Sequence, residues 1–380
     1  MTSARALRPV LLLALLVAPA AARAEPHFSA LTGLRCSRCH VVPTGGGKRS
    51  AYGVLFEQTQ LSMTGAGPRS YSPAASAPAG AGSLFLHGLV ATGELTEWAA
   101  IGADLRLANT TTFGSQRQNS FEPSQGTLYL ELRPWPGRVT LYLDEELASG
   151  GARNREAWGM IRGPWSTYLR GGRFLPPFGL RILDDSAYTR RVTGANFASP
   201  DLGLEAGADV GPFFFAAAIT NGNFAAGGDN DSFKALWALA ELNTSLVRVG
   251  LSGNYNPGDA GNRAMGGAFA ALRLARLVLQ GEADLVATRP ADQSRWTYGL
   301  ASYLELDLAV TKGVLLRASW DFARSDLQLP QNRRQRFRFG VDLFPLRMVE
   351  VKLSYVLKQS ETTDPADSAD ILEAVLHVFL

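Results

Sequence analysis

Apolar and polar residues alternate with period two, in segments of about ten residues, over most of the chain from Ser83 to Leu380. A segment of that length and pattern is what a tilted strand needs to cross a hydrocarbon layer with one face to lipid and the other to a lumen. In 297–308, Tyr298, Leu300, Leu304, Leu306 and Leu308 share one face, and Thr297, Tyr303, Glu305 and Asp307 the other. In 137–147, Val139, Leu141 and Leu143 oppose Arg138, Thr140, Tyr142 and Asp144. In 348–358, Val349, Val351, Leu353, Tyr355 and Leu357 oppose Glu350, Lys352, Ser354 and Lys358.

Connections support the same reading. Short turns at 133–137, 163–164, 211–212, 243–245, 310–313 and 344–347 intersperse with longer polar loops at 109–125, 174–201, 221–232, 255–262 and 358–370. This asymmetry matches outer-membrane barrels, with short periplasmic turns and longer outer loops. The expected fold is all-β: an antiparallel transmembrane barrel of about 16 (16–18) strands. Counting from Ser83 gives about 17 candidates, whereas single-chain bacterial barrels have an even number. Either one candidate is false or a strand hides in 52–63 or 181–197. A soluble β-sandwich also alternates, but so many long segments would make an unusually large one. No fixed short repeat suggests a β-helix.

The last segment places Leu372, Ala374, Leu376, Val378 and Leu380 on one face and ends Phe379-Leu380. It resembles a C-terminal sorting strand, although those usually finish in Phe.

The N-terminus reads differently. Arg5 and Arg8, an apolar run over 10–17 and the small-residue site Ala22-Arg23-Ala24 describe a secretory signal peptide, so 1–24 is set apart from the fold. Removing Arg5, Arg8 and Arg23, and no acid, from 37 bases leaves 34 against 34 acids. Overall charge therefore gives no case for a nucleic-acid partner. Residues 25–63 hold both cysteines of the chain, 64–82 form a linker or loop rich in Gly, Pro, Ser and Ala, and 83–380 carry the barrel pattern.

Cys36-Ser37-Arg38-Cys39-His40 is the C-x-x-C-H signature of c-type haem attachment. Two thiols three positions apart can form thioethers to the two vinyl groups of one haem, and the adjacent imidazole can reach the iron as proximal ligand. A short segment with little core of its own holds such a cofactor covalently rather than by packing. A redox-active or structural disulfide competes with this reading in an oxidising compartment. Zinc competes poorly, since it wants about four ligands and the chain has 2 cysteines and 4 histidines. For the second axial position His27 is the first candidate and Met63 the runner-up, with another ligand or none also open. His87 lies in a strand candidate and reads as an ordinary barrel residue.

Residues 31–53, which contain Cys36-Ser37-Arg38-Cys39-His40-Val41-Val42-Pro43-Thr44-Gly45-Gly46-Gly47 and end in Tyr52-Gly53, resemble the monohaem N-terminal segment found before outer-membrane barrels in metal-reducing and related proteobacteria. The resemblance implies one covalent haem c, with Cys36 and Cys39 as thioether donors and His40 as axial ligand. It also implies electron transfer with periplasmic or extracellular multihaem cytochromes. A looser likeness links Gly171-Gly172-Arg173-Phe174-Leu175-Pro176-Pro177-Phe178-Gly179 to the constriction-loop segment of phosphate-selective porins; a Pro-Pro turn closed by Gly179 accounts for it equally well.

Arg334, Arg336 and Arg338 share the face opposite Phe337, Phe339, Val341 and Leu343, so they should form a lumen ladder. Arg181, Arg190 and Arg191 would join it if their loop folds inward. Such a ring favours anions, making a small anionic solute a candidate cargo. Glu131, Asp144, Glu282, Asp284, Glu305 and Asp307 point inward too, which argues for a mixed lumen. No G-x-S-x-G, H-E-x-x-H or phosphate loop suggests an enzyme. Two functions remain: an outer-membrane electron-transfer protein with its haem segment periplasmic or in the lumen, or a solute porin with an accessory haem segment.

Overall fold

The computed structural model describes residues 26–65, 85–86, 90–114, 117–148, 151–184, 186–222, 231–362 and 368–380. The signal segment 1–24, most of the linker and His87 lie outside them.

Sixteen antiparallel strands close into one barrel. They are β1 Ala99–Phe113, β2 Arg117–Trp135, β3 Val139–Ala148, β4 Arg153–Arg162, β5 Thr167–Phe174, β6 Asp201–Val210, β7 Phe213–Thr220 and β8 Ala235–Asn243, then β9 Val247–Asn256, β10 Gly261–Leu274, β11 Leu277–Pro290, β12 Thr297–Thr311, β13 Val314–Arg324, β14 Arg333–Leu346, β15 Val349–Ser360 and β16 Asp370–Phe379. Each pairs with its neighbour, and β16 closes on β1 from Asp370 opposite Phe113 to Phe379 opposite Asp104. The surplus candidate of the sequence count is the stretch around His87. There Phe85–Leu86 pairs only with Val90–Ala91, apart from the barrel. Neither suspected hidden strand exists, because both stretches contain helical turns.

Alternation maps onto inside and outside as expected. Leu141, Leu143, Leu304, Leu306, Leu308, Leu353 and Leu376 are exposed, whereas Tyr142, Asp144, Tyr303, Glu305, Asp307 and Glu350 are buried. Exposed leucines on a closed barrel have no protein partner and suit lipid. Trp98, Trp135, Trp165 and Phe213 are exposed beside the short turns, and Phe113, Tyr255, Tyr298 and Tyr355 near the opposite end. These are the two aromatic girdles of a transmembrane barrel.

One stretch read as loop differs. Residues 109–125 belong mostly to β1 and β2, which continue as a polar hairpin; Asn109 and Asn119 exchange side-chain hydrogen bonds across it at 3.1 and 3.2 Å. Cross-strand amide pairs stabilise an extended hairpin as well as apolar pairs do, and the alternation signal cannot see them.

The connection after β5, residues 175–200, folds into the lumen. Its helix α4, Tyr188–Thr193, packs against β11, β12 and β13, across the barrel from where the loop starts. Gly179 has φ +56°, and its backbone lies so close to Glu282 that a Cβ would overlap the carboxylate. The adjacent Leu180 amide donates to the same carboxylate at 3.1 Å. The Gly turn and the constriction loop are therefore one device. Arg190 pairs with Glu282 at 2.5 Å, and Asp184 sits 2.8 Å from Arg336 and 3.1 Å from Arg338. Arg191 is exposed instead.

Candidate functional site: a thiol and imidazole cluster in the barrel mouth

Residues 26–65 occupy the mouth at the short-turn end. They form α1 Pro26–Thr32, α2 Cys36–Cys39, α3 Ala51–Phe56 and a π turn Glu57–Leu61. Attachments run around the rim. Arg35 pairs with Asp209, Asn243 donates to Ser29 Oγ at 3.0 Å, and the Met348 amide donates to Glu57 at 3.1 Å. The Met63 amide donates to the Phe344 carbonyl at 2.9 Å, and Lys312 donates to the Gly65 carbonyl at 2.7 Å.

The local chain is shaped to present Cys36, Cys39 and His40 together. The single turn of α2 closes with the His40 amide donating to the Cys36 carbonyl at 2.9 Å. His40 then turns extended and bridges to Arg49, and the Val41 amide donates to the Lys48 carbonyl at 3.0 Å. Reversal between those strands falls to Gly45, Gly46 and Gly47, with φ of +92°, +79° and +62°. Only glycine accepts three such values in succession without strain. Space excludes other residues as well. A Cβ on Gly45 would lie 3.0 Å from Cys36 Cβ, one on Gly46 would overlap the Phe197 ring, and one on Gly47 the Tyr142 hydroxyl. Gly53 has the same role at α3, where a Cβ would overlap the Cys39 carbonyl. Ser50 caps α3, accepting from the Gly53 amide at 3.1 Å and donating to the Arg38 carbonyl at 2.7 Å. Each glycine of the Gly45-Gly46-Gly47 and Tyr52-Gly53 pattern thus has a steric reason.

Cys36, Cys39 and His40 line a cavity shared with the barrel wall and the constriction loop. Both thiols are free. Burial pushes Cys36 up and Cys39 up to about 12. Burial, reinforced by the Arg49 charge, pushes His40 down to about 4. At neutral pH the imidazole is uncharged, the form that offers a lone pair to a metal, and the thiols are protonated. Zinc wants about four donors, and this turn presents three, Cys36, Cys39 and His40. Two thiols three positions apart beside one neutral imidazole fit covalent haem.

His27 and Met63 do not line this cavity. The His27 imidazole is buried against β12, 3.9 Å from Asp307 and 4.0 Å from Glu305. Arg317 is also there, 3.1 Å from Asp307 and 3.5 Å from Glu305. Met63 is at the rim, packed on Gly313. The cavity's second histidine is His377, held between Glu350 and Asp104 at 2.8 Å on either ring nitrogen. Strand parity carried the signal for His377: on β16 it is the residue facing inward between Leu376 and Val378. Phe379 faces inward too and lies 3.9 Å beneath the Arg49 guanidinium. The C-terminal aromatic thus serves the mouth segment, while the lipid-facing row ends at Leu380.

Among solved structures the chain is similar to an anion-selective porin from Comamonas acidovorans (TM-score 0.60, 9% identity, covering 74% of this chain and 99% of that one). It is also similar to OmpT, an outer membrane protein of Vibrio cholerae (0.59, 8%, 74% and 99%), and to the outer membrane channel DcaP of Acinetobacter baumannii (0.55, 10%, 74% and 97%). This is the porin fold. No family model and no curated protein sequence matches the chain.

Proposed function

We propose that this protein is a porin-like outer-membrane barrel that carries one covalent haem c in its periplasmic mouth and exchanges single electrons with periplasmic or extracellular multihaem cytochromes. One observation carries the reading: Cys36, Cys39 and His40 open together onto a lumen cavity that the mouth segment, the barrel wall and the constriction loop jointly enclose. The short-turn end is the periplasmic end in porins, and a segment docked at that end supports a periplasmic haem, since such haem is attached on that side.

When bound, the haem would supply a one-electron iron couple. The chain does the rest. Cys36 and Cys39 would tether the group, and the neutral His40 would ligate the metal. The glycine turn keeps side chains out of the space beside Cys36, and Lys48, buried with its ammonium 3.2 Å from Glu131, locks the turn to the wall. A single cofactor cannot carry electrons across a hydrocarbon layer about 30 Å thick, so transmembrane conduction requires partner cytochromes.

A second reading, a solute porin with an accessory haem segment, is the one the comparisons favour, since the similar structures are titled as an anion-selective porin and an outer membrane channel. Haem staining of denatured outer-membrane fractions tests the cofactor, and electron exchange between the purified protein and an added multihaem cytochrome separates the two. Covalent haem in the native band, none in Cys36→Ala/Cys39→Ala, and oxidation of the reduced native protein by the added cytochrome support the first reading; covalent haem without that exchange supports the second. No covalent haem from a host with a competent maturation system leaves the solute porin.

A further inference from the structure

Six arginines line the Cys36, Cys39 and His40 cavity: Arg35, Arg49, Arg106, Arg155, Arg181 and Arg248. Four have carboxylate partners. Arg35 pairs with Asp209, Arg49 with Asp104 at 3.1 Å, Arg155 with Asp144 at 2.9 Å and Arg248 with Glu241 at 2.7 Å. Among the described residues Arg106 and Arg181 have none. Arg181 is 9% exposed. Its side chain donates only through Nη2, to the Thr44 hydroxyl at 3.3 Å and to the Leu175 and Pro176 carbonyls at 2.9 and 2.7 Å. Those acceptors are neutral, and although Glu156 and Glu205 lie within electrostatic range, no carboxylate pairs with the guanidinium directly, which is costly for a buried cation unless something anionic shares the cavity. Thr44 belongs to the turn that follows His40, so the loop arginine is fastened to the metal-binding segment itself. Arg106 reaches the same cavity from β1.

We infer that Arg106 and Arg181 are the counter-cations for the two carboxylates of the haem tethered at Cys36 and Cys39. The inference rests on the haem reading above. The match is one of number and chemistry: among the described residues two guanidinium groups without a direct carboxylate partner face one cavity, Arg106 in electrostatic range of Asp104 and Arg181 in range of Glu156 and Glu205, and haem carries two propionates, each able to accept paired N–H donors from one guanidinium. The constriction loop, which in an open porin narrows a solute path, here supplies a charge to the cofactor compartment. Cations near the iron favour its reduced state, so both arginines raise the reduction potential.

The test uses full-length protein matured with haem, comparing native, Arg106→Gln, Arg181→Gln, the double variant and Arg181→Lys. Arg181 also holds loop carbonyls, so Arg106→Gln, on a strand, tests the charge without the loop. All five should keep covalent haem on denaturing gels. The glutamine variants should show lower midpoint potentials, the double variant lowest, and Arg181→Lys should stay near native. An unchanged potential in the double variant, with haem attached, overturns the inference and leaves the haem reading standing. No covalent haem in native protein overturns that reading and the inference with it. Citrate binding to haem-loaded native protein, lost in the double variant, would show the pair open to a free carboxylate solute and overturn the inference alone.

Discussion

The Lys48 backbone amide donates a 2.8 Å hydrogen bond to the Tyr142 hydroxyl, so an inward-facing residue of β3 fastens the turn that follows His40. Tyr142→Phe removes the acceptor and strands a buried N–H, at a cost of about 1–3 kcal/mol. Gly47→Ala attacks the same contact from the other side, since its Cβ would overlap that hydroxyl at φ +62°. Both variants should release the mouth segment, read as faster protease cleavage within 26–65 while the barrel resists. The double variant should cost less than the sum of the two, because both remove one contact. Additive costs would mean that the turn is held elsewhere.

Glu57 supplies a pH dependence. Burial raises its pKa from 4.5 to about 7, and it accepts from the Met348 amide of the β14–β15 turn. An acid whose pKa rises on folding binds its proton more tightly in the native state. Its contribution is therefore fullest below about pH 4.5 and is lost as pH rises through about 7, on the order of 3 kcal/mol in total. Segment protection from protease should fall between pH 5 and pH 8. Glu57→Gln, which mimics the neutral acid, should flatten that fall; an equally steep fall in the variant rules Glu57 out as its source.

Much of the fold was legible because a barrel wall is a one-dimensional code. Inward Glu305 and outward Leu306 follow from parity alone, and the short turns follow from their composition. What parity cannot supply is depth and distance. Arg336 read as a free lumen cation, yet Asp321 and Asp184 both reach it, one from the next strand and one from a loop that crosses the lumen. The C-x-x-C-H motif and the glycines after it were legible as a pattern. Their reason, close approach to Cys36, Phe197, Tyr142 and Cys39, is tertiary. His27 was attractive by nearness in sequence. A buried position against β12 depends on where α1 docks, which spacing does not encode.

The constriction loop should depend on Asp184. Although burial alone would raise it, Arg336 and Arg338 hold the Asp184 carboxyl well below the usual carboxylate range. Asp184→Asn removes the charge that both arginines share, while Arg336 keeps Asp321 at 2.6 Å. Loop anchoring should weaken by about 1–3 kcal/mol, seen as cleavage within 175–200 by external protease at unchanged barrel thermal stability. A loop as resistant as native would show that Arg190 and Glu282 suffice to hold it.

Deleting residues 26–65 tests what the mouth segment does to permeation. The sixteen strands close without it, so the deletion variant should still insert in planar bilayers, and its conductance should exceed that of the native protein several-fold because the plug is gone. Selectivity should stay weak. The lumen arginines are largely neutralised in place, Arg170 by Glu205, Arg190 by Glu282 and Arg336 by Asp321, and a paired guanidinium attracts a passing anion much less than a bare one. A strongly anion-selective deletion channel would mean that these pairs open in the working pore. Native-level conductance would mean that the constriction loop, not the segment, sets the barrier.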